Sequence, residues 1–96
     1  QFQISIKQNP EFADSHLMLA NAFLREEKNE EAILHYKMCI KLKPGSANAH
    51  NNLGYTLLLE EKTEEAVFHI RTAIKLDPNL VKAHENLKRA LRVMLF

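Results

Sequence analysis

The chain has 96 residues and a mass of 11.1 kDa, room for one domain near the lower size limit for independent folding. Hydrophobic residues make up 46% and charged residues 26%, a globular rather than a disordered composition. Thirteen Lys and Arg against twelve Asp and Glu leave a net charge of +1, which gives no electrostatic footprint for nucleic acid or an anionic membrane.

A single cysteine, Cys39, excludes an intramolecular disulfide framework and a cysteine-based zinc site. The longest apolar runs, Val93–Phe96 among them, are far short of the ~20 residues that span a bilayer. These features favour a soluble, reducing setting such as the cytoplasm and leave the compartment open. Two glycines and three prolines are too few for an all-β chain.

The prolines fall at 10, 44 and 78, each 34 residues from the next. Histidines keep the same spacing, at 16, 50 and 84 and again at 35 and 69. Laying 13–46 over 47–80 gives 15 identities in 34, so the chain is a repeat.

In chain order, Phe2–Gln8 aligns with Tyr36–Leu42, so residues 1–10 read as the end of a preceding second helix. Leu17, Leu19, Ala20, Phe23 and Leu24 form a helical stripe that predicts a helix over 13–26. The polar turn Arg25–Asn29 follows. Ile33, Tyr36, Cys39, Ile40 and Leu42 predict a second helix over 29–42, with Asn29 as its cap and Glu30 and Glu31 favouring its dipole. The pattern recurs over 47–60 and 63–76, where Thr63, Glu64 and Glu65 repeat the start. Pro44 and Pro78 lack a backbone donor and end the second helices. A last helix over 81–96 has no partner after it, so the chain reads as a piece of a longer array. The expected fold is all-α, built from stacked antiparallel helical hairpins: repeats at 13–46 and 47–80 and a terminal helix at 81–96.

His16-x2-Leu19-Ala20-x2-Phe23, Ala32-x3-Tyr36 and Pro44 resemble the tetratricopeptide repeat (TPR) pattern, and so do His50-x2-Leu53-Gly54-x2-Leu57, Ala66-x3-Ile70 and Pro78. The resemblance implies a right-handed αα superhelix whose concave side is lined by first helices. Two positions depart from it. Histidine stands where the family often has Trp, and Lys88 where a small residue usually permits close packing, which marks the last helix as a solvated cap.

Chemistry has little material here. On the TPR-like arrangement His16, His50 and His84 lie on successive equivalent helices about 10 Å apart, too far to share one zinc ion, so no metal is expected. Cys39 reads as a small buried thiol. Ser15 and His16 are adjacent on a helix and point apart, no phosphate loop or nucleophile motif occurs, and neither a catalytic residue nor a cofactor is expected.

What remains is the concave face. On the TPR-like arrangement it carries Asp14, Leu17, Met18, Asn21, Leu24 and Arg25, then Asn48, Asn51, Asn52, Tyr55, Leu58 and Leu59, and finally Lys82, Glu85, Asn86, Arg89 and Arg92. Asn21, Asn48, Asn51, Asn52 and Asn86 supply amides for a peptide backbone, Leu17 an apolar contact, Tyr55 an aromatic one, and Lys82 and Arg89 cations for an acidic group. Some TPR domains grip acidic C-termini with a carboxylate clamp. Asn21, Asn52 and Lys82 match it, while Leu17 and Asn86 replace two of its cations. The expected function is a protein-interaction module holding a partner's peptide. The alternatives are a non-catalytic targeting arm of a larger enzyme, or a self-association module using the apolar end Val93–Phe96.

Overall fold

The computed structural model describes residues 10–95. The expected end of a preceding helix over 1–9 and the terminal Phe96 lie outside them. Five helices follow in order: α1 (Pro10–Arg25), α2 (Asn29–Leu42), α3 (Ala47–Leu59), α4 (Thr63–Leu76) and α5 (Val81–Leu95). No strand occurs among the described residues, and none of the helices is long and apolar enough to cross a membrane.

Helix α1 already includes Pro10, the first of the described residues, three residues ahead of where its apolar stripe predicts. After Pro44 and Pro78 the chain turns instead, through Gly45 and Asn79, before α3 and α5 begin. Ser46 caps α3, its Oγ accepting from the Ala49 amide at 3.2 Å.

The expected caps at Asn29 and Thr63 are corrected. Both residues are the first of their helices; Lys28 and Lys62 occupy the cap positions, without a side-chain cap bond. The preceding turns account for this. Glu27 and Glu61 adopt left-handed backbone, with φ of 63° and 62°. The Lys28 amide then reaches back to the Phe23 carbonyl and the Glu27 amide to Leu24; Lys62 to Leu57 and Glu61 to Leu58 repeat the pair. These paired bonds close α1 and α3 and launch the next helix at once.

Within each hairpin α1 packs on α2 and α3 on α4; between hairpins α2 meets α3 and α4 meets α5. Small residues set the spacing. Ala20, Ala32, Gly54, Ala66 and Ala83 are buried at these contacts. A Cβ on Gly54 would meet Ile70 Cγ1 at 2.5 Å and the Ala66 carbonyl at 3.1 Å, so α3 and α4 touch backbone to side chain. Leu53, Leu57 and Ile70 fill the space around them, each burial contributing about 1.5–3 kcal/mol.

A smaller cluster joins Ala13, Cys39 and Ala49. Burial, the largest influence, pushes the Cys39 thiol up, which suppresses its thiolate. Leu19 departs from the expected stripe: it is 43% exposed, whereas Leu53, its counterpart one repeat on, is fully buried. Helix α3 has α2 on one side and α4 on the other; among the described residues, nothing covers α1 on its preceding side. Lys88 is exposed on α5.

Candidate binding groove

The first helices α1, α3 and α5 contact one another along one side of the molecule. Their asparagines form a continuous ladder there. Asn52 Nδ2 donates to Asn21 Oδ1 at 3.1 Å, Asn51 Nδ2 to Asn52 Oδ1 at 3.4 Å, and Asn86 Nδ2 to Asn51 Oδ1 at 2.9 Å. Arg89 closes one end, donating to Asn86 Oδ1 at 3.4 Å. At the other end the Tyr36 hydroxyl donates to Asn21 Oδ1 at 2.5 Å.

The direction of these bonds decides what the face offers. Each of the four amide oxygens accepts from within the ladder. Each Asn nitrogen carries two hydrogens, so at least one N–H per residue stays uncommitted to the ladder. Oδ1 of Asn21 receives two bonds and is filled, whereas Oδ1 of Asn51, Asn52 and Asn86 each receives one and keeps a second lone pair, so the face presents donors beside some remaining acceptors. Burial pushes the Tyr36 phenol up to about 12, against the opposing pull of the Asn52 amide and Arg25, so it remains a hydrogen donor at neutral pH.

Beside the ladder lies an open recess of about 300 Å³ lined by Asn51, Asn52, Tyr55, Lys82, Glu85, Asn86 and Arg89. The Arg89 guanidinium sits 5.8 Å from the centre of the Tyr55 ring, within cation–π range. Lys82 and Arg89 are exposed and bring two cations against the single carboxylate of Glu85. Tyr55 also borders a second recess of about 540 Å³, with Leu24, Arg25, Glu27, Asn29 and Leu59.

The structure thus brings six of the expected residues to one recess. Asn21 joins them through the ladder, half-buried. Leu17 packs against both core clusters, and Asn48 is exposed near the start of α3. Asn51 and Asn86 are 3% and 8% exposed, so their amides serve first as ladder rungs and only their edges reach the recess. Tyr36 and Asn29 were not among the expected site residues. Tyr36 looks like plain core in the apolar stripe, and only its hydroxyl hints at a polar partner. Asn29 donates to Glu60 Oε2 at 2.8 Å across the boundary between hairpins, a relation visible only in three dimensions.

Family models described as TPR repeat and tetratricopeptide repeat match residues 20–60 and 47–80. No curated protein matches the sequence. Among solved structures, the second TPR of Spaghetti (RPAP3), bound to the HSP90 peptide SRMEEVD, is 30% identical with a TM-score of 0.88, over 94% of this chain and 83% of that one. The TPR2AB domain of yeast Sti1 in complex with an HSP90 peptide is 24% identical, with a TM-score of 0.88 over 96% of this chain. The TPR2B domain of the same protein with an Hsp70 peptide is 23% identical, with a TM-score of 0.84 over 85% of this chain. The chain spans 36% of the first yeast structure and 66% of the second. Helix order, the 34-residue ruler, both repeat models and the 30% identical structure agree: this chain belongs to the tetratricopeptide repeat family.

Proposed function

We propose that this segment is a protein-interaction module that holds an extended, acidic peptide of a partner protein in its concave groove. One observation carries the reading: the asparagine ladder leaves amide N–H donors uncommitted beside the exposed cations Lys82 and Arg89 in one recess. Such a face complements backbone carbonyls and carboxylates, which only accept. The 30% identical structure supports it, because the HSP90 peptide SRMEEVD bound there ends in two glutamates, a valine and an aspartate.

The test is fluorescence anisotropy with an acidic peptide and a control whose acidic residues are replaced by lysine. The acidic peptide is expected to bind, and the double variant Lys82→Glu/Arg89→Glu to lose at least about tenfold in affinity, since a bond to a charged group contributes about 1.5–3 kcal/mol. Equal affinity for both peptides would overturn the reading.

A second reading, self-association, has its own observation: Val93, Met94 and Leu95 are exposed together at the end of α5, Leu95 by 82%. It is compatible with a module that serves as the targeting arm of a larger protein.

A further inference from the structure

Each hairpin carries a histidine pair between its two helices. His16 on α1 and His35 on α2 bring their Nδ1 atoms to 3.0 Å, and His50 on α3 and His69 on α4 to 3.1 Å. The ring planes lie within 23° and 27° of parallel, with centroids 5.2 and 5.3 Å apart. Each centroid separation is close to the N···N distance extended by one ring radius at either end. The two nitrogens therefore lie on the line between the rings, and the imidazoles meet edge to edge, as an in-line N–H···N bond requires. Two ring lone pairs aimed at each other across this distance would repel, so one Nδ1 of each pair holds a hydrogen.

In the second hairpin the surroundings choose which. His50 Nε2 lies 3.2 Å from the Pro44 carbonyl, a pure acceptor, and so carries a hydrogen. Neutral His50 then has a bare Nδ1, and His69 donates to it from its own Nδ1–H. His84 repeats the carbonyl contact, to Pro78 at 2.8 Å, without a second imidazole among the described residues.

We infer that these two histidine bonds are an acid-sensitive latch holding the two helices of each hairpin together. A first proton can settle on the far nitrogen of the donor ring and leave the bond standing. A second places hydrogens on both Nδ1 atoms, which then face each other with like charges on both rings. The bond is lost and the helices are pushed apart.

The surroundings make protonation costly. Burial, then the charge of His35, holds His16 below the usual imidazole range. Burial does the same to His50 against the pull of the Pro44 carbonyl. His69 is held low by burial first and His50 next, with Glu65 on its own helix favouring its cation and Lys37 of α2 opposing it. Lys37 and Glu65 are themselves paired at 3.5 Å, which weakens both influences. Around the first pair the Phe23 ring lies nearly parallel to His35 at 5.5 Å and adds no charge. Histidines depressed in the fold bind fewer protons than in the unfolded chain. Their stability is therefore complete above the unfolded value of about 6.5 and is lost as pH falls below it toward the folded values.

The latch stands apart from the groove proposal yet bears on it, because Tyr36 follows His35 directly and holds the ladder at Asn21. Imidazole nitrogen NMR on the wild-type chain at pH 7.5 tests the bond. One protonated and one bare Nδ1 are expected in each pair, with His50 bare and His69 protonated; bare Nδ1 atoms on both rings of a pair would overturn the latch. Thermal melts from pH 7.5 to 5 test the switch. The midpoint is expected to fall steeply below pH 6.5 in the wild type and far less in His35→Gln/His69→Gln; an equal fall in both would overturn it.

Discussion

Tyr36 on α2 donates its phenolic hydrogen to Oδ1 of Asn21 on α1, and the same oxygen also receives the Asn52 amide from α3. One carbonyl oxygen thereby ties the two helices of the first hairpin to the second. Removing the two partners is expected to have unequal effects. Tyr36→Phe leaves the oxygen with Asn52 and should cost about 1 kcal/mol; Asn21→Leu strands both donors and should cost about 2–4 kcal/mol. Urea unfolding measures both, and equal losses would show that the oxygen does not join the three helices.

Glu27 and Glu61 hold left-handed backbone that glycine adopts without strain. Glu61→Gly is expected to stabilise the fold by about 1 kcal/mol, because relief of a left-handed residue is worth roughly 1–2 kcal/mol and glycine's greater unfolded entropy returns part of it. A lower unfolding midpoint in this variant would mean that the carboxylate, not the turn, governs the position.

The close approach at Gly54 gives the opposite sign. Gly54→Ala improves helix propensity by about 1 kcal/mol but drives a methyl into Ile70 and the Ala66 carbonyl, an overpacking cost of about 1–3 kcal/mol. Gly54→Leu should cost more. Ala20 stands at the same place in the first hairpin, where Tyr36 holds the position of Ile70. An unchanged melt for Gly54→Leu would contradict the contact.

The repeat ruler carries nearly all of the fold in plain view, because Pro44, Pro78 and the small residues Ala20, Gly54, Ala32 and Ala66 act locally and at fixed spacing. The first turn of α1 and the caps at Lys28 and Lys62 escape it. They depend on whether the residue after a proline breaks the helix and on a left-handed glutamate, which no propensity announces. In the groove, six of the expected site residues, all placed on the concave side by the TPR resemblance, line one recess. The bonds among the amides were hidden, since an asparagine has the same letter whether it faces solvent or another amide. The histidine pairs left one trace, the same 19-residue offset from 16 to 35 and from 50 to 69.

The exposed end of α5 predicts association at high concentration. Sedimentation of the wild type is expected to shift with concentration, and Leu95→Ser/Phe96→Ser to sediment as a monomer throughout. Identical profiles would remove this surface from consideration.

Side-chain amide NMR during titration with an acidic peptide tests the groove most directly. The Asn52 and Asn86 amides and the Tyr55 ring are expected to shift together, saturate with one affinity, and stay unmoved in Lys82→Glu/Arg89→Glu. Shifts confined to the outer faces of α2 and α4, or no shift at saturating peptide, would contradict a concave face that reads acidic chains.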